Sequence, residues 1–400
     1  QQKDEIMKDL YEEKPDVICF SCYIWNIEYV RELAAEFHKL RPEVPIWVGG
    51  PEVSFETERF LKENPAITGI MMGEGEQTLT ELCTSFEQES SLEKIDGISY
   101  RRGDGTVAVQ PLRSLLPMDE LPFCYANLQD FEHRIIYYES SRGCPFSCSY
   151  CLSSVDKKLR FRSLPLVYRE LQFFIDAKVP QVKFVDRTFN CRHEHAMGIW
   201  NYIKEHDNGI TNFHFEISAD LLREDELELI SDMRPGLIQL EIGVQSTNGA
   251  TIREIHRTMR LEDVYRAVNR VKAGKNIHQH LDLIAGLPFE DYERFQQSFD
   301  DIYALHPQQL QLGFLKVLKG SYMYEHASEY GLIYRTKPPY EVLASKWVSY
   351  DEMLEIRLVE EMLELHYNSG QFLTYLAVLE QRYASAFQMF LDMGHFYRSN

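Results

Sequence analysis

The chain has 400 residues, with 62 acidic against 42 basic side chains and a formal net charge of −20. That length exceeds one core of common size and calls for two or three domains, while the acidic balance opposes RNA or any other polyphosphate partner. No run of eighteen apolar residues and no signal peptide is present, so no membrane span is expected and a cytoplasmic location is, where eight Cys point to metal or redox use rather than disulfides.

The sequence opens on Gln1 and reads as an internal piece of a longer protein. Residues 16–21 (DVICFS) form an apolar run suited to a buried parallel strand, followed by a helical pattern over 27–40. A second strand at 46–48 ends in Gly49-Gly50-Pro51-Glu52, and a third at 67–72 runs into Gly73-Glu74-Gly75-Glu76 and a helix over 78–86. Alternating strands and helices describe a doubly wound α/β domain, whose ligands sit beyond the carboxyl ends of the strands. Ser21, Gly49, Gly50, Gly73, Glu74 and Gly75 occupy those ends, where glycine admits a close ligand; ordinary turns and helix capping explain them equally. Cys19 and Cys22 form a C-x-x-C, in which Cys19 reads as a buried structural thiol of the strand.

Residues 98–110 alternate around 103–105 as a hairpin, and the proline-bearing 111–122 reads as a linker. From 134 onward six strand candidates alternate with helices, at 135–140, 181–186, 213–218, 237–244, 280–285 and 309–317, which makes a partial (β/α)6 TIM-like barrel. Beyond 318 the pattern gives way to amphipathic helices over 350–368 and 372–393, read as a small helical domain that covers the barrel mouth. Its aromatic residues serve as packed core or as pocket lining. The expected domains are therefore 1–97, 98–133, 134–318 and 319–400.

After the first barrel strand comes 139–151 (ESSRGCPFSCSYC), with Cys144, Cys148 and Cys151 spaced C-x3-C-x2-C on one loop. Three thiols can converge on one metal centre and leave a fourth position open to a substrate. A zinc loop completed by His133 or Cys191, or three unrelated core thiols, are the alternatives. His193 and His195, beside Cys191, read as an ordinary helix start.

This spacing, with Tyr150 just before the last Cys, resembles the cluster loop of the radical S-adenosylmethionine (SAM) enzymes. The resemblance implies a [4Fe-4S] cluster on Cys144, Cys148 and Cys151 whose open iron chelates the amino acid end of SAM. Residues 213–218 (FHFEIS), 241–246 (EIGVQS) and 282–288 (DLIAGLP) are similar to strands of the branch that includes oxygen-independent coproporphyrinogen oxidase. There the residues matching Glu216, Gln245, Arg257 and Asp282 contact SAM, roles that suit a guanidinium facing a carboxylate and acceptors facing an ammonium and hydroxyls. Asp186, in 184–189 (FVDRTF), falls where the family often has Gly-Gly-Glu, and departs from that triplet.

The three glycine and serine loops placed ahead of such a cluster loop resemble the cobalamin-binding domain of many of these enzymes, a flavodoxin-like sheet of which the last three strands are present. The Asp-x-His-x-x-Gly motif that supplies the lower cobalt ligand does not occur in these 400 residues. The resemblance implies reductive cleavage of SAM to a 5′-deoxyadenosyl radical and cobalamin-dependent methylation of an unactivated carbon in a small-molecule or peptide substrate. A flavodoxin or ferredoxin would serve as reductant, with neither membrane nor nucleic acid as partner. Radical oxidation, cyclisation or rearrangement without methyl transfer is the alternative, and a non-catalytic cobalamin or iron-sulfur sensor a third reading.

Overall fold

Two stretches of chain fold as compact units, Gln1–Leu116 with Thr336–Tyr340, and Pro117–Arg335 with Glu341–Asn400. They are seen in a computed structural model that describes residues 2–131, 134–155 and 157–399; His133, invoked above as a zinc ligand, lies outside these.

In the first unit β1 (Ile18–Ser21), β2 (Ile46–Gly49) and β3 (Gly69–Met71) pair in parallel and in sequence order. The helices between and around them are α1 (Lys3–Glu12), α2 (Ile27–Leu40), α3 (Thr57–Glu63) and α4 (Glu76–Glu87). The central β2 is buried at every residue, which its run of Ile46, Trp47 and Val48 requires. Glycine at 69 has a packing reason, because a Cβ there would stand 2.4 Å from the Trp47 ring. On the edge strand β1, Ile18 turns in and Cys19 turns out, so the buried thiol of the C-x-x-C is Cys22 and not Cys19.

The expected hairpin forms as β4 (Ile98–Arg101) and β5 (Val107–Val109), but it does not stand apart as the start of a linker region. It extends the first sheet by pairing antiparallel to β3. The cause is apolar: Ile98, Tyr100 and Ala108 share a core with Trp47, Met71 and Leu82, so the unit runs to Leu116.

The second unit contains six parallel strands, β6 (Ile136–Tyr138), β7 (Gln181–Phe184), β8 (Asn212–Ile217), β9 (Ile238–Gln245), β10 (His278–Ala285) and β11 (Gln309–Phe314). They lie side by side in chain order, as an open barrel demands. Alternation sorts their side chains. Val182, Phe184, Phe213, Phe215, Leu240, Ile242, Leu281 and Leu283 form the core under the helices, whereas Lys183, His214, Glu216, Glu241, Gln245, His280 and Asp282 occupy the opposite, lumen-facing positions.

The C-terminal part is helical, as expected, and its helices pack against the barrel. Met353, Ile356, Phe387 and Phe390 belong to the same core as the barrel strands. Phe387 packs 5.6 Å from Tyr292 of the outer barrel helix α5 (Tyr292–Tyr303), and Tyr292 donates to Glu355 at 2.6 Å. The helix expected over 372–393 is two helices, Leu373–Leu379 and Ala386–Ser399. The second begins where Asp300 of α5 accepts from Phe387 N at 2.8 Å, a tertiary cap that periodicity cannot show.

Candidate active site

At the carboxyl ends of the barrel strands lies a cavity of about 200 Å³. Cys144, Cys148, Cys151 and Tyr150 line it together with Glu216, Gln245, Arg257 and Asp282. The cluster loop is held by backbone at its middle, where Ser149 N donates to Ile255 O and Ser149 O accepts from Met323 N, both at 2.9 Å. Gly143 is obligatory just before the first Cys: its φ is +88°, and a Cβ would sit 2.5 Å from Lys158 O.

Arg257 reaches back to this loop. Its Nη1 lies 3.4 Å from Tyr150 Oη and 3.8 Å from Cys148 Sγ, and its Nη2 donates to Gly243 O. Burial pushes the Cys148 thiol up, and the guanidinium beside it pulls the other way. The remaining donor, Arg257 Nε, is buried without a hydrogen-bond partner, as is the acceptor Gln245 Oε1. Orphaned polar atoms of both signs beside a cavity suit a ligand that carries both a carboxylate and donors. Gln245 is held at φ 72°, beyond a bulge between Gly243 and Gln245. Glycine at 243 makes room for it, since a Cβ there would stand 2.3 Å from Gln245 Nε2.

The carboxylates crowd one another. Burial first, and then Glu241, raises the Glu216 carboxyl to about 7. Burial opposes ionisation of Glu241 too, yet His214 and Lys183 hold it down to about 2. Glu241 lines the cavity and was not singled out from sequence; its place two and four residues ahead of Gly243 and Gln245, on the same face of β9, is the signal that marks it.

Asp186 is not part of the cavity wall. It is fully buried and accepts from Ser140 N at 3.0 Å, Ser140 Oγ at 2.7 Å and Ser141 Oγ, and burial lifts its carboxyl to about 6. Asp186 lies beyond the end of β7 at Phe184, where strand alternation no longer applies, and it is its neighbours Arg187 and Thr188 that reach the cavity. His195 also meets Ser140 Oγ, at 3.1 Å, whereas His193 pairs with Glu226 at 3.0 Å, so the two histidines serve separate structural contacts.

In the first unit the loops after β1, β2 and β3 are knitted at one end of the sheet. Cys22 N donates to Gly49 O at 2.7 Å, Ser54 Oγ to Gly50 O at 2.9 Å, and Gly73 N to Ser54 Oγ at 3.4 Å. Ser21 O accepts from Asn26 Nδ2 at 2.8 Å. Gly50 is forced by its φ of +103° and by Cys22 O, 2.6 Å from where a Cβ would lie; Gly73 and Gly75 face open space. Beside them Tyr23 and Trp25 stack at 4.5 Å with Trp25 72% exposed, a flat apolar surface that the sequence reading passed over.

An open barrel of six parallel strands with three thiols on the loop after the first defines a radical SAM fold. A family described as the radical SAM superfamily matches residues 138–302, a B12-binding domain matches 1–83, and a family described as a protein of unknown function (DUF4080) matches 328–400. The chain thus carries a B12-binding domain followed by a radical SAM domain. It is 25% identical to the cobalamin-dependent radical SAM methyltransferase TokK of Streptomyces tokunonensis over 72% of this chain and 45% of that one. An anaerobic magnesium-protoporphyrin IX monomethyl ester cyclase of Rubrivivax gelatinosus is 23% identical over 74% of this chain and 56% of the cyclase. The chain therefore spans about half the length of these curated relatives. Its fold is shared with the radical SAM methyltransferase TsrM of Kitasatospora setae, solved with cobalamin and a [4Fe-4S] cluster (TM-score 0.68, 17% identity, 84% of this chain and 70% of that one).

Proposed function

We propose that this chain is the core of an enzyme that cleaves SAM reductively and methylates an unactivated carbon of a small-molecule or peptide substrate. The observation that carries the reading is the convergence, on one cavity, of three thiols with the orphaned Arg257 Nε and Gln245 Oε1. Cys144, Cys148 and Cys151 would hold a [4Fe-4S] cluster, which supplies the electron for SAM cleavage. Zinc fits them less well: thiolates sharing one zinc stand roughly 3.8 Å apart, by tetrahedral geometry at about 2.3 Å per bond. The three thiols are not among the donor groups of the described residues whose atoms all lie within 4.8 Å of one another.

Arg257 Nε would donate to the SAM carboxylate, and Glu216, Gln245 and Asp282 would accept from its ammonium and ribose hydroxyls. Tyr150, against Arg257, keeps the guanidinium aimed at the cluster side. In the first unit, Ser21, Gly49, Gly50, Gly73, Glu74 and Gly75 line the end of the sheet where cobalamin, the methyl carrier, would bind; open backbone at Gly73 and Gly75 beside the Tyr23–Trp25 stack suits a broad, flat ring. The electron would come from a flavodoxin- or ferredoxin-type donor.

A second reading, radical cyclisation or oxidation without methyl transfer, is favoured by the similarity to the cyclase. Full-length protein, reconstituted anaerobically, reduced and supplied with hydroxocobalamin and methyl-labelled SAM, decides among them. 5′-Deoxyadenosine with label on the corrin supports methyl transfer. 5′-Deoxyadenosine without it supports the second reading, and neither product leaves a sensor.

A further inference from the structure

In the barrel lumen stands a set of donors that adjoins the SAM site of the proposed function and shares Asp282 with it; Glu241 and Asp282 both line the cavity. Strand register places Glu216 opposite Glu241, Glu241 opposite His280, and Lys183 opposite His214. One ligand atom each from Glu241, His280 and Asp282 lies within 4.8 Å of the other two. His280 Nε2 is 3.1 Å from Asp282 Oδ1, and His214 Nε2 is 3.0 Å from Glu241 Oε2. These are contact distances, yet His280 Nε2, Asp282 Oδ1 and His214 Nε2 are all buried without a partner in hydrogen-bond geometry. The imidazoles are only 7% and 6% exposed, so water does not satisfy them from bulk. Buried polar atoms left without such a partner, and close enough together to share one ion, call for a further ligand.

Charge leads the same way. Glu216, Glu241 and Asp282 share this stretch of lumen with Lys183, 2.9 Å from Glu241 Oε2 and 3.8 Å from Glu216 Oε1, and with Arg187 acting on Glu216 from the cavity wall. Glu241 and Asp282 bring anionic donors to this stretch, and the imidazole of His280 stands 3.1 Å from Asp282.

We propose that Glu241, His280 and Asp282, with His214 as a further ligand, bind a divalent first-row transition-metal ion distinct from the iron of the cluster loop. Mixed imidazole and carboxylate donors suit Mn²⁺, Fe²⁺ or Zn²⁺, each bound at about 2.0–2.2 Å. The ion neutralises the lumen and ties β9 to β10, and through Asp282 it fixes one wall of the cavity above. Lys183 remains on Glu241 from the β7 side and is not displaced.

The test uses the holoprotein, with its cluster oxidised and therefore silent in electron paramagnetic resonance, after treatment with a chelator. Mn²⁺ is the probe. One equivalent is expected to bind per chain, with a ¹⁴N coupling from imidazole in the pulsed spectrum; that coupling cannot come from the thiols, so it is read independently of the cluster assignment. His280→Ala should weaken binding about tenfold or more and remove one nitrogen coupling. Absence of binding up to about 1 mM Mn²⁺, bound Mn²⁺ without ¹⁴N coupling in the parent, or unchanged affinity in a folded His280→Ala protein would each overturn the proposal. Should that variant fail to fold, the coupling in the parent decides.

Discussion

Arg257→Ala offers the sharpest probe of the SAM site, because the side chain does two separable things. Its Nη2 satisfies Gly243 O and its Nη1 lies against Tyr150 and Cys148, so truncation costs the protein itself. Leaving a buried carbonyl unpaired is worth about 1–3 kcal/mol. The Nε, by contrast, has no partner among the described residues, so its loss is felt only when ligand is present. A charge-assisted hydrogen bond contributes about 1.5–3 kcal/mol, which predicts roughly a ten- to hundredfold weaker SAM affinity. Arg257→Lys keeps the charge without the planar fork, and should fall between parent and Ala. The assay is calorimetric titration of SAM into reconstituted protein, with iron content and thermal midpoint measured on the same samples. SAM bound by Arg257→Ala as tightly as by the parent, at equal iron content, would refute the assignment; a lowered midpoint alone would show only the structural role.

Three further outcomes are expected. Cys144→Ala, Cys148→Ala and Cys151→Ala should each abolish the visible absorption of the cluster together with SAM cleavage, whereas a parent that holds only zinc after anaerobic reconstitution would sink the cluster reading. In the first unit, Gly50→Ala should destabilise by about 1–3 kcal/mol, from its left-handed φ and the contact with Cys22 O, while Gly73→Ala, left-handed but in open space, should cost only about 1–2 kcal/mol; equal thermal midpoints for parent and Gly50→Ala would contradict this. Glu290, buried and accepting from Ser246 and Ser298, has its carboxyl raised by burial to about 7. A folded value above the unfolded one means the native state holds the proton longer, so its contribution declines as pH rises from about 4.5 through 7, by roughly 3 kcal/mol at 1.36 kcal/mol per unit. Urea titrations at pH 5 and pH 8 should therefore show the parent losing stability relative to Glu290→Gln, and parallel profiles would refute the shift.

The cysteine spacing, the alternation of strands with helices, and the glycines at strand ends were readable from the chain because each is local: ligand spacing on one loop, period two along one strand, a turn within a few residues. Even the polar lumen is written there, in the alternation of Glu241, Gly243 and Gln245 with Ile242 and Val244. What tertiary structure decided is non-local. Whether Asp186 faced SAM or the core depended on the path of the chain beyond the end of β7, and it turned out to bind Ser140 and Ser141, just ahead of the cluster cysteines. The hairpin at 98–109 joined the first sheet because its apolar face met Trp47, and the last helix began at a cap supplied by Asp300. Parallel neighbours lie tens of residues apart in the chain, so register, and with it the meeting of Glu241, His280 and Asp282, follows from packing that no short stretch of sequence encodes.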